Sequence, residues 1–183
     1  MHYRRIREPG ATYFFTVVTH RRLPLFAPPE AVALLHRCIV EVKRYHPFAI
    51  DAFVILPDHL HMLWTQPEGD AGYSIRWQLI KTAFTRHYLR VNPTLDRSTS
   101  RQTKGEQAVW QRRFWEHLIR DDEDFSAHLD YIHLNPVRHA VAKLPRDWPH
   151  SSFLLWVAKG HYSDNWSLET QPELVRWAEA WDR

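Results

Sequence analysis

Apolar and polar positions alternate along much of this chain in two periods. Residues 12–19 centre on Tyr13-Phe14-Phe15-Thr16-Val17-Val18, a run of β-formers that predicts a strand. Pro28-Pro29 opens a stretch to about Tyr45 in which Val32, Leu35, Ile39 and Val42 recur at helical spacing. Cys38 falls at the edge of that apolar stripe and suits packing. Residues 48–56 are apolar and stop at Pro57-Asp58, a turn signal. A second run, His59-Leu60-His61-Met62-Leu63-Trp64-Thr65, stops at Gln66-Pro67, so the two runs predict a hairpin. Ser74 is placed to cap a helix to about Arg90, with Ile80, Ala83, Phe84 and His87 roughly on one side. Residues 91–107 are polar and read as a mobile loop, and a fourth strand is expected within 109–119. An acidic cluster with Asp121 or Asp122 as N-cap then opens a helix whose Phe125, Leu129 and Ile132 would face the core. Pro136 should end or distort that helix. The order β-α-β-β-α-β is that of the ferredoxin-like (RRM-like) split unit, an α+β antiparallel sheet. Its two crossover helices cover one sheet face and leave the other for the last helix.

Composition bounds the class. The chain has 183 residues, enough for one domain with a real core. Its net charge of +3 suits a polyanionic partner, although net charge alone discriminates little. A lone cysteine excludes an internal disulfide and fits a reducing compartment. No stretch is long and apolar enough to span a bilayer and the first residues do not resemble a signal peptide, so no membrane partner and a cytoplasmic location are expected.

The candidate chemistry lies in two places. In a strand, side chains alternate faces, so His59 and His61 share one face while Leu60, Met62 and Trp64 take the core face. Two neutral imidazoles on one face are a metal-ligand pair; two partly exposed edge histidines are the plainer alternative. On the last helix, Asp124, His128, Tyr131 and Asn135 form a stripe beside the apolar one, and Tyr131 and Asn135 are one turn apart. Taken singly, Tyr131 reads as a half-buried amphipathic ring and Asn135 as a helix cap. Taken with the histidines, they supply a phenol nucleophile and an oxygen ligand. His128 and His133 could assist proton transfer, though surface or packing roles suit them better. Arg4, Arg5, Arg7, Arg21, Arg22, Arg76, Lys81, Arg86, Arg90, Arg112 and Arg113 cluster where a nucleic acid could lie. Trp110 and Trp115 could stack bases or belong to the core.

These motifs resemble a known family. Val54-Ile-Leu-Pro-Asp-His-Leu-His-Met-Leu-Trp64 is similar to the HUH strand (U being hydrophobic) of the single-tyrosine transposases. Asp130-Tyr-Ile-His-Leu-Asn-Pro-Val-Arg-His139 resembles their tyrosine helix. Tyr3-Arg-Arg5, Tyr13-Phe-Phe-Thr16, Trp110-Gln-Arg-Arg-Phe-Trp-Glu-His117 and Trp148-Pro-His-Ser-Ser152 are further matches in the right order. Together they resemble the REP-associated tyrosine transposases over residues 3–153. Residues 154–183 match no motif and form a tail of unknown role, in which Trp166, Leu168, Leu174, Trp177 and Trp181 suggest docking.

The resemblance implies a metal-dependent, site-specific single-strand DNA endonuclease and strand transferase. It implies Tyr131 as nucleophile, His59, His61 and Asn135 as ligands of Mg²⁺ or Mn²⁺, a 5′-phosphotyrosine intermediate and a free 3′-hydroxyl. Asn135 stands where the related insertion-sequence enzymes usually carry glutamine, so this shorter amide needs a closer helix. The implied partner is a palindromic DNA hairpin with an adjoining tetranucleotide, for which Arg4 and Arg5 are the expected contacts, and the protein would act as a monomer or homodimer. A replication-initiator type of HUH nuclease and a non-catalytic hairpin-binding regulatory module are the alternatives. The first lacks a helicase segment here, and the second has no need of all four site residues.

Overall fold

In the computed structural model, which describes residues 7–93, 103 and 107–167, four strands and four helices follow the expected order. They are β1 (Thr12–Val18), α1 (Pro29–Tyr45), β2 (Ala49–Ile55), β3 (His59–Thr65), α2 (Tyr73–Val91), β4 (Trp115–Leu118), α3 (Asp122–Arg138) and α4 (Phe153–Ala158). The strands form one sheet in the order β2-β3-β1-β4, every neighbour antiparallel. This is the ferredoxin-like split arrangement that the order of elements predicts.

Alternation in β1 and β3 divides the core in two. Tyr13, Phe15 and Val17 of β1 and Leu60, Met62 and Trp64 of β3 face α1 and α2, in a cluster that also takes Leu35, Ile39, Trp77, Ile80 and Phe84. Trp64 and Trp77 stack at 4.7 Å with 17° between their planes, which bolts α2 to the middle of the sheet. On the opposite face, Phe14, Val54 and Leu63 meet Leu129, Ile132 and Leu134 of α3, with Phe153, Tyr162 and Trp166 from beyond it. The expected docking of the C-terminal segment is thus seen for its described part, while residues 168–183 lie outside the described residues.

Two boundaries differ from expectation. Gly72, not Ser74, is the N-cap of α2; Asp70 Oδ1 accepts the Gly72 N–H at 2.5 Å and leads the chain into the helix one residue before Ser74. The fourth strand, four residues long, lies within 109–119 as expected. Pro136 does not end α3. The proline removes one donor, but the His139 N–H reaches the Asn135 carbonyl (3.0 Å) and the Val141 N–H reaches that of Pro136 (2.9 Å). The helix closes at Ala140, which takes a left-handed φ of 53°. At its other end Asp121 is the cap, accepting the Asp124 N–H at 2.8 Å. Most of the expected 91–107 loop lies outside the described residues.

Candidate functional site

β3 and α3 bring His59, His61, Tyr131 and Asn135 together on the sheet face that α3 covers. All four are at least nine-tenths buried. The His59 and His61 ring centroids are 5.0 Å apart, and the Tyr131 ring lies 5.0 Å from that of His61 at 78°. Phe14, from the strand beside β3, meets both His61 (5.4 Å) and Tyr131 (5.7 Å), so one apolar ring sets the separation of phenol and imidazole.

Each ligand candidate is oriented by a neighbour. His59 Nδ1 donates to Asp58 Oδ1 at 2.6 Å, and Arg22 holds the other carboxylate oxygen at 3.0 Å. Burial raises the Asp58 pKa, but His59 and Arg22 outweigh it and hold the carboxyl at about 2, so Asp58 is an anion. A carboxylate on Nδ1 leaves Nε2 as the basic, ligating nitrogen. His61 Nδ1 lies 2.9 Å from Thr16 Oγ1, and its Nε2 is buried with no hydrogen-bond partner. Burial, then the charges of His59, His139, Arg138 and Arg22, pushes the His61 pKa well below its ordinary value. The ring is therefore neutral, the state a metal ion requires. Asn135 Nδ2 donates to the Tyr131 carbonyl at 3.3 Å, and since a carbonyl only accepts, the other end of the amide is Oδ1. That oxygen is also buried without a partner. A buried polar atom left unpaired costs roughly 1–3 kcal/mol. Two imidazoles and an amide oxygen, two of these atoms lacking partners, fit a divalent cation.

Two positively charged or ionisable groups from the end of α3 border this site. Arg138 Cζ lies 5.2 Å from the Tyr131 ring centroid, and the His139 ring lies 4.9 Å from that of His59. Sequence reasoning missed the orienting roles of Asp58 and Thr16. Asp58 was visible there only as a turn residue, and the register that sets Thr16 opposite His61 is not local information.

A second cluster lies on the same face. His117, Asp124 and His128 offer ligand atoms within 4.8 Å of one another, a group able to hold a metal ion. It also reads as a hydrogen-bonded clamp between β4 and α3. Asp124 Oδ2 takes His117 Nε2 (2.8 Å), Arg120 Nε (3.0 Å) and the Arg120 N–H (3.1 Å). His128 Nδ1 donates to the Asp124 carbonyl at 2.7 Å. Burial raises the Asp124 pKa, but Arg120 and His117 override it and hold the carboxyl below the usual range. His128 and His133, weighed above as proton carriers, are buried packing groups; His133 sits between Ser152 Oγ (2.9 Å) and Tyr162 Oη (3.2 Å).

The basic residues separate. Arg4 and Arg5 lie outside the described residues. Arg7, Arg21, Arg112 and Arg113 are exposed, and Arg22 is exposed beside Asp58. Arg76 corrects the expectation of a DNA contact. It is 3% exposed, and its five N–H groups go to Asp70, Gln66 and the carbonyls of His46 and Pro47, so it ties α2 to the sheet. Lys81 and Arg86 sit on α2, across the sheet from the histidines, and Lys81 Nζ donates to the Gln111 carbonyl at 2.8 Å. The two tryptophans also separate: Trp110 is buried with its indole N–H on the Lys81 carbonyl (3.2 Å), whereas Trp115 is exposed. No helix among the described residues is long and apolar enough to cross a membrane.

Comparison with known proteins gives a consistent answer. No family model matches the chain. A REP-associated tyrosine transposase of Escherichia coli (strain K12) is 42% identical over 166 residues, covering 90% of each chain. A putative member from Haemophilus influenzae is 40% identical over 164 residues, covering 90% of this chain and 92% of its own. A solved REP-associated tyrosine transposase bound to a REP hairpin is 41% identical, with a TM-score of 0.73 over 91% of this chain and 90% of that one.

Proposed function

The chain belongs to the REP-associated tyrosine transposases and is a DNA transposase, and on that premise we propose that it cuts and rejoins single-stranded DNA at palindromic hairpins through Tyr131. The hairpin reading is supported by the solved relative, which holds a REP hairpin. The chemical reading is supported by two buried atoms without hydrogen-bond partners, His61 Nε2 and Asn135 Oδ1, beside a tyrosine on the same helix as the amide.

His59 and His61 would hold a divalent cation through Nε2, and Asn135 through Oδ1. When bound, that cation withdraws charge from the scissile phosphate and stabilises the oxygen that leaves. Two nitrogens and one amide oxygen suit Mn²⁺ better than Mg²⁺, which favours all-oxygen shells.

Tyr131 Oη forms the new bond to phosphorus, the phosphorus–O3′ bond breaks, the phenolic proton leaves and the 3′-oxygen takes one up. The product is a 5′-phosphotyrosine and a free 3′-hydroxyl. Because one phosphodiester replaces another, a 3′-hydroxyl can reverse the step on the same or another strand without a nucleotide cofactor. Arg138 keeps positive charge beside the attacking ring. Asp58 and Thr16 keep the two imidazoles turned, and Phe14 fixes the distance between phenol and imidazole. Arg7, Arg21, Arg22, Arg112 and Arg113, with Arg4 and Arg5, are proposed to meet DNA phosphates.

A labelled hairpin oligonucleotide incubated with Mn²⁺ or Mg²⁺ and run on a denaturing gel tests this. A covalent protein–DNA adduct is expected, lost with EDTA and reduced to background in Tyr131→Phe, which removes the nucleophile and keeps the ring. Native-gel binding with no adduct in either metal would overturn the phosphotyrosine mechanism.

A further inference from the structure

Trp115 stands opposite Thr16 across β1 and β4, and Thr16 stands opposite His61 across β1 and β3. Opposed residues of antiparallel strands share a sheet face, so His61, Thr16 and Trp115 form one row on the face that carries the site. Two strand spacings separate the ends of that row, about 9–10 Å. The same row contains the hydrogen bond that turns His61, between its Nδ1 and Thr16 Oγ1. Trp115 is therefore tied by backbone register to the proposed metal ligands.

Trp115 is 42% exposed, one of the large hydrophobic residues at the surface. It is also held in place. Trp115 stacks on His117 at 5.9 Å and 12°, and meets Phe14 edge-on at 5.7 Å and 71°. His117 is fixed in turn by Asp124 at 2.8 Å, and His117 stacks on His128 at 4.6 Å. A ring held this way loses little freedom when something lies on it. Arg112 and Arg113, exposed, precede it by three and two residues. Exposed aromatic rings beside guanidinium groups are the recurring means of holding unpaired nucleotides, with bases on rings and phosphates on cations.

We propose that Trp115 is a stacking platform for an unpaired base adjoining the scissile phosphate, a positioning residue that aligns the single strand with Tyr131. This rests on the hairpin-nuclease reading above. Stacking accepts any base, so Trp115 sets where the strand lies and leaves sequence choice to other contacts. The His117–Asp124–His128 clamp gains a purpose here, because it fixes the ring on which Trp115 leans.

The test uses the full chain and a fluorescein-labelled REP hairpin with and without a single-stranded flank, with 5-iodouracil placed in the flank for crosslinking. Trp115→Ala should weaken binding of the flanked hairpin roughly five- to a hundredfold and leave the blunt hairpin unchanged. Trp115→Phe should restore most of the loss, and the wild-type crosslink should map to the peptide containing Trp115. Wild-type affinity for the flanked hairpin in Trp115→Ala, no gain from the flank in the wild type, or crosslinks elsewhere would overturn the proposal. The two readings fail separately. A Trp115-dependent crosslink without any covalent adduct in Mn²⁺ would remove the nuclease and keep the platform. Adduct formation at the wild-type rate in Trp115→Ala would do the reverse.

Discussion

The two faces of the sheet are built from the same strands and obey different rules. Toward α1 and α2, β1 and β3 present Tyr13, Phe15, Leu60, Met62 and Trp64, packed against Trp77 and Phe84. Toward α3 the same strands present Phe14, Thr16, His59 and His61, so two buried imidazoles stand where the other face has apolar rings and chains. One face is mainly apolar packing, and the other places polar and ionisable groups inside the fold. A strand of period two, buried on both faces, lets a short motif serve both, since changing the site residues leaves the packing residues on the reverse side in place.

That division can be tested from its strongest point. Trp64→Ala should cost about 3–5 kcal/mol, read as a lowered urea midpoint, because it empties the stack on Trp77. Its effect on hairpin cutting should follow the fraction folded; a loss of cutting in fully folded protein would mean that the two faces are coupled.

Acid should act on the α3 face. Burial holds the His133 pKa at about 3 and that of His128 at about 4, below their ordinary 6.5. An unfolded chain takes up protons on these rings that the folded chain refuses, so unfolding gains as pH falls. Their contribution is intact above about pH 6.5 and is lost progressively below it, up to about 2 kcal/mol for each ring by pH 5. Urea midpoints at pH 7 and pH 5 should show this, and His133→Gln should show a smaller difference between the two. An unchanged pH dependence in that variant would assign the acid sensitivity elsewhere.

His61→Leu sharpens the contrast further. Replacing an imidazole with an unpartnered nitrogen by an apolar side chain should raise stability by about 1 kcal/mol and abolish metal-dependent adduct formation. A fall in stability would make His61 part of the fold rather than a group held at its expense. Arg22→Ala should have the smallest effect. Its ion pair with Asp58 is solvent-facing and worth about 0–1 kcal/mol. A several-fold weakening of Mn²⁺ binding, measured by calorimetry, is expected because Asp58 then holds His59 with less support.

The sequence made some of this legible and hid the rest for physical reasons. Alternation in β3 assigned His59 and His61 to one face and Trp64 to the other, because that period is local. The spacing of Tyr131 and Asn135 likewise assigned both to one stripe of α3. Arg76 was misread because a charge on a helix reads as exposed until the partners that bury it, Asp70, Gln66 and two carbonyls, are known. Pro136 was misread as a terminator because the carbonyl–amide contacts that rescue the last turn come from residues 139–142. Trp110 precedes β4 and packs with Phe26 and Phe84 on the α1/α2 side, whereas Trp115 opens that edge strand on the opposite face, a difference no local pattern announces. The His117–Asp124–His128 clamp joins a strand to a helix, and no periodicity within either element announces it.

The proposed nucleophile, Tyr131, and the proposed amide ligand, Asn135, ride on α3, while both imidazoles ride on β3. Any rigid displacement of that helix therefore withdraws Tyr131 and Asn135 in the same movement. Under the proposed mechanism, cutting power and the capacity to retain the cut end would not be separated by such a shift. On that reading a misaligned molecule would be inert, and would not nick a chromosome and let the broken end drift away.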